Sequence, residues 1–190
     1  MSEGWTATSG AGHQQGDLLR DVPVVHVESV EVAENTASIQ SRVEVIDGII
    51  VTQTCALEND RIANILLARV TTWADFAAAQ FAAGNTAVKG SSFRRNLIRG
   101  DVPPLMLLHA REPQPPLDWS IVDFRELHVV DRERLDRFVG QTGHRRRLRL
   151  VSPYKEHFAQ AFARFCMRVG LPHDARAFEQ AGAVAIEPLS

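Results

Sequence analysis

Two stretches of period-two patterning, Pro23 to Val32 and Ala37 to Ile46, constrain the fold more than any other feature of the chain. Valines and isoleucines alternate there with His, Glu, Ser, Gln and Arg, the spacing of strands with an apolar and a polar face. His26, Glu28 and Glu31 fall on exposed edges. Asp47-Gly48 reads as a hairpin turn into a further strand over 49–52, so three or four strands meander antiparallel before residue 60. Ile62 to Thr72, Leu105 to His109 and Trp119 to Leu127 are apolar and β-branched enough for three more.

Helices are expected in two places. The alanine-rich run Trp73 to Ala83 lacks β-branching and is closed by Gly84-Asn85. Lys89 to Ser92 then links it to a short basic helix over 93–99. Glu112 to Pro116 is proline-rich and must be an extended loop. Toward the C-terminus, Asp131 is a plausible N-cap for Arg132 to Val139, with Gly140 as the stop. Ser152 caps a helix over 153–169 that starts on Pro153. Tyr154, Phe158, Ala161, Phe162, Phe165 and Val169 form one apolar stripe on that helix, expected to pack on the sheet.

With 190 residues, 45% hydrophobic and 23% charged, the chain suits one core and is short for two domains. The expected organisation is a disordered N-terminus over 1–15, a single domain over 16–172 opening on Gly16-Asp17-Leu18-Leu19, and a tail over 173–190. The first residues, rich in Gly, Ser, Thr and Gln, read neither as a signal peptide nor as a membrane span. Two distant cysteines, Cys55 and Cys166, argue for reduced thiols. A cytoplasmic protein without membrane contact is expected.

Charge is unevenly distributed. Residues 1–60 carry two basic and ten acidic side chains, whereas 123–168 carry eleven basic and six acidic. The run His144 to Arg149 can grip phosphates or complement the acidic first sixty residues, and the second role is favoured. Charge alone does not make this a nucleic-acid protein.

Motifs for a phosphate-binding P-loop, a Rossmann dinucleotide site, a Cys-x-x-Cys zinc site and a His-Glu-x-x-His helix are all missing from the sequence. No cofactor or metal is expected. Chemistry is expected where the strand Ile49 to Thr52 runs into Gln53, Thr54 and Cys55. Cys55 is the candidate nucleophile, with His26, His109 or His128 as activator, or else a small core residue. Arg69, Thr71 and Thr72 end the next strand, where a guanidinium fork and hydroxyls suit a phosphate or carboxylate. If the two strands pair, Gln53, Thr54, Cys55, Arg69, Thr71 and Thr72 line one end of a sheet. Thr52, Asn59, Arg94 and Arg95 complete the substrate-binding candidates.

Gly16-Asp17-Leu18-Leu19, the strand at 49–52, Ile65 to Thr72 and Ser120 to Leu135 together resemble the MazF/PemK family of toxin ribonucleases. The resemblance implies an α+β, mainly β fold: a small SH3-like antiparallel barrel with an inserted helical segment, here about 73–100, and C-terminal helices. It further implies a homodimer and metal-independent cleavage of single-stranded RNA in a toxin–antitoxin or phage-defence setting, with an antitoxin or other protein as partner. The acid/base hydroxyl then falls on Thr71 or Thr72. The family's catalytic arginine has no counterpart at Val45 to Gly48, which leaves Arg69 to hold phosphate. Gln53-Thr54-Cys55 also resembles uncharacterised bacterial proteins carrying Ser-Gln-Thr-Cys-Asp, with Ala56 where those have aspartate. Two other readings stand beside the ribonuclease: a non-catalytic protein-interaction module, and a cysteine-dependent enzyme using Cys55.

Overall fold

The structure is a computed structural model, and it describes residues 4–8, 12–33, 36–58, 62–142 and 147–167. The alternating segments become β2 (Asp17–Ala33) and β3 (Thr36–Ile50), one long antiparallel hairpin in register from Leu18↔Ile49 to Ala33↔Thr36. Asp47-Gly48 does not turn the chain. A Cβ on Gly48 would come within 3.3 Å of Leu67, so the glycine admits β4 (Asn64–Thr72) to close packing. The Asp47 carboxylate accepts the N–H of Asp21 at 3.0 Å, where β2 bulges and Asp21 adopts a φ of 55°. A turn-like dipeptide thus serves a bulge and a close strand contact.

β1 (Trp5–Ala7), β5 (Leu105–Leu108), β6 (Ser120–Asp131) and β7 (Arg147–Leu150) complete a seven-stranded antiparallel sheet in the order β1-β7-β2-β3-β4-β6-β5. β1 pairs with β7 and β5 with β6, and among the described residues the two end strands do not pair with each other. The fold is α+β and mainly antiparallel β, and the sheet is open where a closed barrel was expected. Within the stretch 1–15, Trp5–Ala7 join the sheet as β1. Trp5 is buried and its indole N–H donates to the His109 carbonyl at 3.1 Å, an anchor that the polar composition around it concealed.

Helices cover both faces. α5 (Tyr154–Cys166) buries Phe158 against Ile49, Val70, Val122 and Phe124, as its stripe predicts. It begins one residue late, with Pro153 at the cap, and Val169 lies outside the described residues. On the opposite face α4 (Arg132–Thr142) packs Leu135 and Val139 over Val22, Ile46, Ile65 and Leu67. Asp131 caps α4 by accepting the Arg134 N–H at 2.9 Å. The helix nevertheless runs through Gly140, since packing of its apolar side outweighs the roughly 1 kcal/mol cost of one glycine. α1 (Thr54–Glu58) adds Leu57 to that core. A third cluster joins α2 (Trp73–Ala82), a 3₁₀ turn at Thr86–Lys89 and α3 (Ser91–Arg99) to Leu105 and Ile121.

The charge asymmetry has an internal outlet. Asp17, fully buried, accepts from Arg147 and, at 2.6 Å, from Arg149. Two residues of the basic run therefore neutralise an acidic group of the first sixty, as favoured above. Residues 143–146 lie outside the described residues.

Beyond the sheet the hairpin continues as a two-stranded arm. β2 pairs with β7 only over Asp17–Leu19, and β3 with β4 only over Asp47–Ile50. Cross-strand partners share a face. The pairs Pro23–Val45, Val25–Val43, Val27–Ser41, Val30–Ile39 and Val32–Ala37 therefore form one apolar face, on the same side of the sheet as Ile49 and α5, with Asp47 between Val45 and Ile49. Its valines and isoleucine are 54–80% exposed. The reverse face carries His26, Arg42, Gln40, Glu31 and Glu44.

Candidate functional site

Arg69 stands in β4 opposite Gly48, on the face that carries Glu44 and His128. Its Nη2 lies 2.8 Å from Glu44 Oε1 and its Nε 2.6 Å from Glu126 Oε2. Glu44 Oε2 also lies 2.9 Å from His26 Nε2, and the His26 and His128 rings meet edge to face at 5.5 Å. The hydrogen bond from Arg69 holds the Glu44 carboxyl below the usual carboxylate range. Burial, with the positive charges of Arg69 and His26 added, holds His128 below the usual imidazole value. The guanidinium expected to grip a phosphate is thus engaged by two carboxylates, and the cluster ties β3, β4 and β6 together.

Thr72 is also committed. It is the N-cap of α2: its hydroxyl accepts the Asp75 N–H at 3.1 Å and donates to the Asp75 carboxylate at 2.6 Å. Thr71 pairs opposite Ile121 in the β4–β6 ladder.

The strands carrying the two candidate groups do pair, but antiparallel and with Ile50 opposite Leu67. Thr52 therefore falls beside Leu66, whose N–H its hydroxyl accepts at 2.8 Å. Thr71 and Thr72 lie at the other end of β4, about 20 Å along the strand. The two groups do not form one site. Thr54 accepts the Gln15 N–H at 3.2 Å, and the Gln53 carbonyl accepts the N–H groups of Ala56 and Leu57. These polar side chains and backbone groups hold the loop that leads into α1. Cys55 is exposed, its Sγ 3.7 Å from Gln53 Oε1. Its suggested activators stand elsewhere, His26 and His128 beside Arg69 and His109 beside Trp119. Asn59 lies outside the described residues. Arg94 donates to the Lys89 carbonyl at 3.0 Å, and Arg95 is exposed on α3.

A different place has the form of a binding site. The C-terminal end of α3, the edge strand β5 and one side of α5 enclose a groove of about 780 Å³. Its apolar floor is Leu105, Met106 and Leu107 of β5. Aromatic surfaces come from Trp119, 47% exposed, and Tyr154, with His109 between them at 5.0 and 5.5 Å. Arg99 and Arg164 bring positive charge, His157 and Gln160 bring polar groups, and among the described residues no carboxylate lines the groove. Gly100 ends α3 at φ 74°, a conformation natural to glycine, and Arg164 reaches over it.

Sequence reasoning missed this groove although half of its signal was in view. The stripe on α5 shows the apolar side of the helix alone. His157, Gln160 and Arg164, spaced three and four apart, form the polar shoulder of the same helix. Their counterparts on β5 and α3 are distant in sequence. Among the described residues no group of three His, Cys, Asp or Glu side chains gathers to hold a metal, and no helix is long and apolar enough to cross a membrane. The chain matches no family model and no curated protein.

Proposed function

We propose that the protein binds single-stranded RNA in the groove between α3, β5 and α5. One observation carries the reading: exposed aromatic faces and two arginines line the groove, and none of its described lining residues is a carboxylate. Unstacked bases are held on aromatic faces, and the backbone is held by cations. Trp119, His109 and Tyr154 supply stacking surfaces at ring spacings of 5.0 and 5.5 Å. Arg99 and Arg164 supply the phosphate contacts.

Holding RNA is favoured over cutting it. Arg69 is engaged by Glu44 and Glu126, and Thr72 is engaged by Asp75, so two of the residues that the MazF/PemK likeness makes catalytic are occupied by structural partners. The kinship with those SH3-like barrel toxins, and a toxin–antitoxin or phage-defence setting in the bacterial cytoplasm, belong to the proposal through a shared ligand class, RNA.

The test is fluorescence anisotropy of a labelled, mixed-sequence single-stranded RNA, with the same strand assayed for cleavage on a gel. The wild-type chain binds without cutting, and Trp119→Ala weakens binding about tenfold or more. Equal binding by both proteins, or no binding, rejects the groove. Cleavage lost in Arg69→Gln would return the site to the end of β4.

A further inference from the structure

We infer that the apolar face of the β2–β3 arm is the interface of a homodimer, in which two arms pack face to face about a two-fold axis. A soluble chain rarely leaves a contiguous apolar ladder of this kind open. Seven aliphatic side chains on one face are 54–80% exposed, and no charged residue is among its pairs from Pro23–Val45 to Val32–Ala37.

Area and shape select a second copy as the occupant. Each aliphatic side chain brings roughly 80 Å² of apolar surface into contact, so the two faces together remove roughly 1,100 Å² from water, enough to clear the threshold for a specific interface. The strip is about 30 Å long and two strands wide. A two-fold copy matches it in length, flatness and absence of charge, as an isologous contact requires. Packed ribbons sit about 10 Å apart, which is the layer α5 occupies over the base of the same face. The partner arm would therefore continue that layer outward. Nucleic acid is a poor occupant of an uncharged strip. An anionic lipid surface is disfavoured too, because residues 21–47 carry six acidic side chains against Arg42 alone.

Sedimentation equilibrium of the full chain tests the inference. The wild type is expected to be dimeric from low micromolar concentration. Val25→Glu/Val43→Glu, at two solvent-facing positions, should weaken association by roughly a hundredfold or more while circular dichroism and melting stay near wild type. Gln40→Glu, on the reverse face of the same strand, should leave the dimer intact and controls for folding of the arm. A wild-type monomer at high concentration overturns the inference, whether or not it binds neutral vesicles, and so does a dimer that the double variant does not weaken.

Discussion

At the residue scale the largest single contribution to test is Asp17, a fully buried carboxylate between Arg147 and Arg149. Removing one member of such a cluster leaves uncompensated buried charge, at a cost of about 3–5 kcal/mol. Asp17→Ala should therefore lower the urea midpoint sharply, or prevent folding. Thr72→Ala should cost about 1 kcal/mol through loss of the α2 cap and leave RNA affinity unchanged, as chemical denaturation and anisotropy would read. The pH dependence of stability has a definite sign. His13 and His128 are both held below the usual imidazole value, chiefly by burial, so the unfolded chain binds more protons as pH falls below about 6.5. Stability should decline from pH 7 toward pH 5, and His128→Asn should make that decline shallower. Glu44, with its pKa depressed, contributes stability that is present above the ordinary carboxylate range and lost in more acid solution.

At the scale of elements, much of the fold was legible where periodicity and propensity agreed. The alternation over 23–46, the alanine-rich α2 and the stripe of α5 each became the element expected. Failures came where a local signal met a tertiary demand. Asp47-Gly48 has turn chemistry, but Leu67 and Asp21 use it inside a strand. Gly140 has stop chemistry, but Leu135 and Val139 hold α4 in place beyond it. The site was less legible than the fold. Thr52, Thr54, Arg69 and Thr72 were singled out for polarity at strand ends, where polar groups also cap and brace. The two faces of α5 divide the work: Phe158→Ala should destabilise by about 3–5 kcal/mol, whereas His157→Ala should spare stability and weaken RNA binding.

For the whole molecule, the open sheet separates two surfaces of different chemistry. The arm projects past the sheet from the central strands β2 and β3, while the groove lies along the edge strand β5. A dimer joined through the arms would leave both grooves open, so RNA affinity per chain should be the same in Val25→Glu/Val43→Glu as in the wild type. The most direct measurement is RNA affinity as a function of salt, wild type beside Arg99→Gln/Arg164→Gln. Each phosphate contact to single-stranded nucleic acid contributes about 0.7 to the slope of log affinity against log salt. The predicted result is weaker binding with a slope shallower by about 1.4, and an unchanged slope would contradict an RNA-binding groove at this edge.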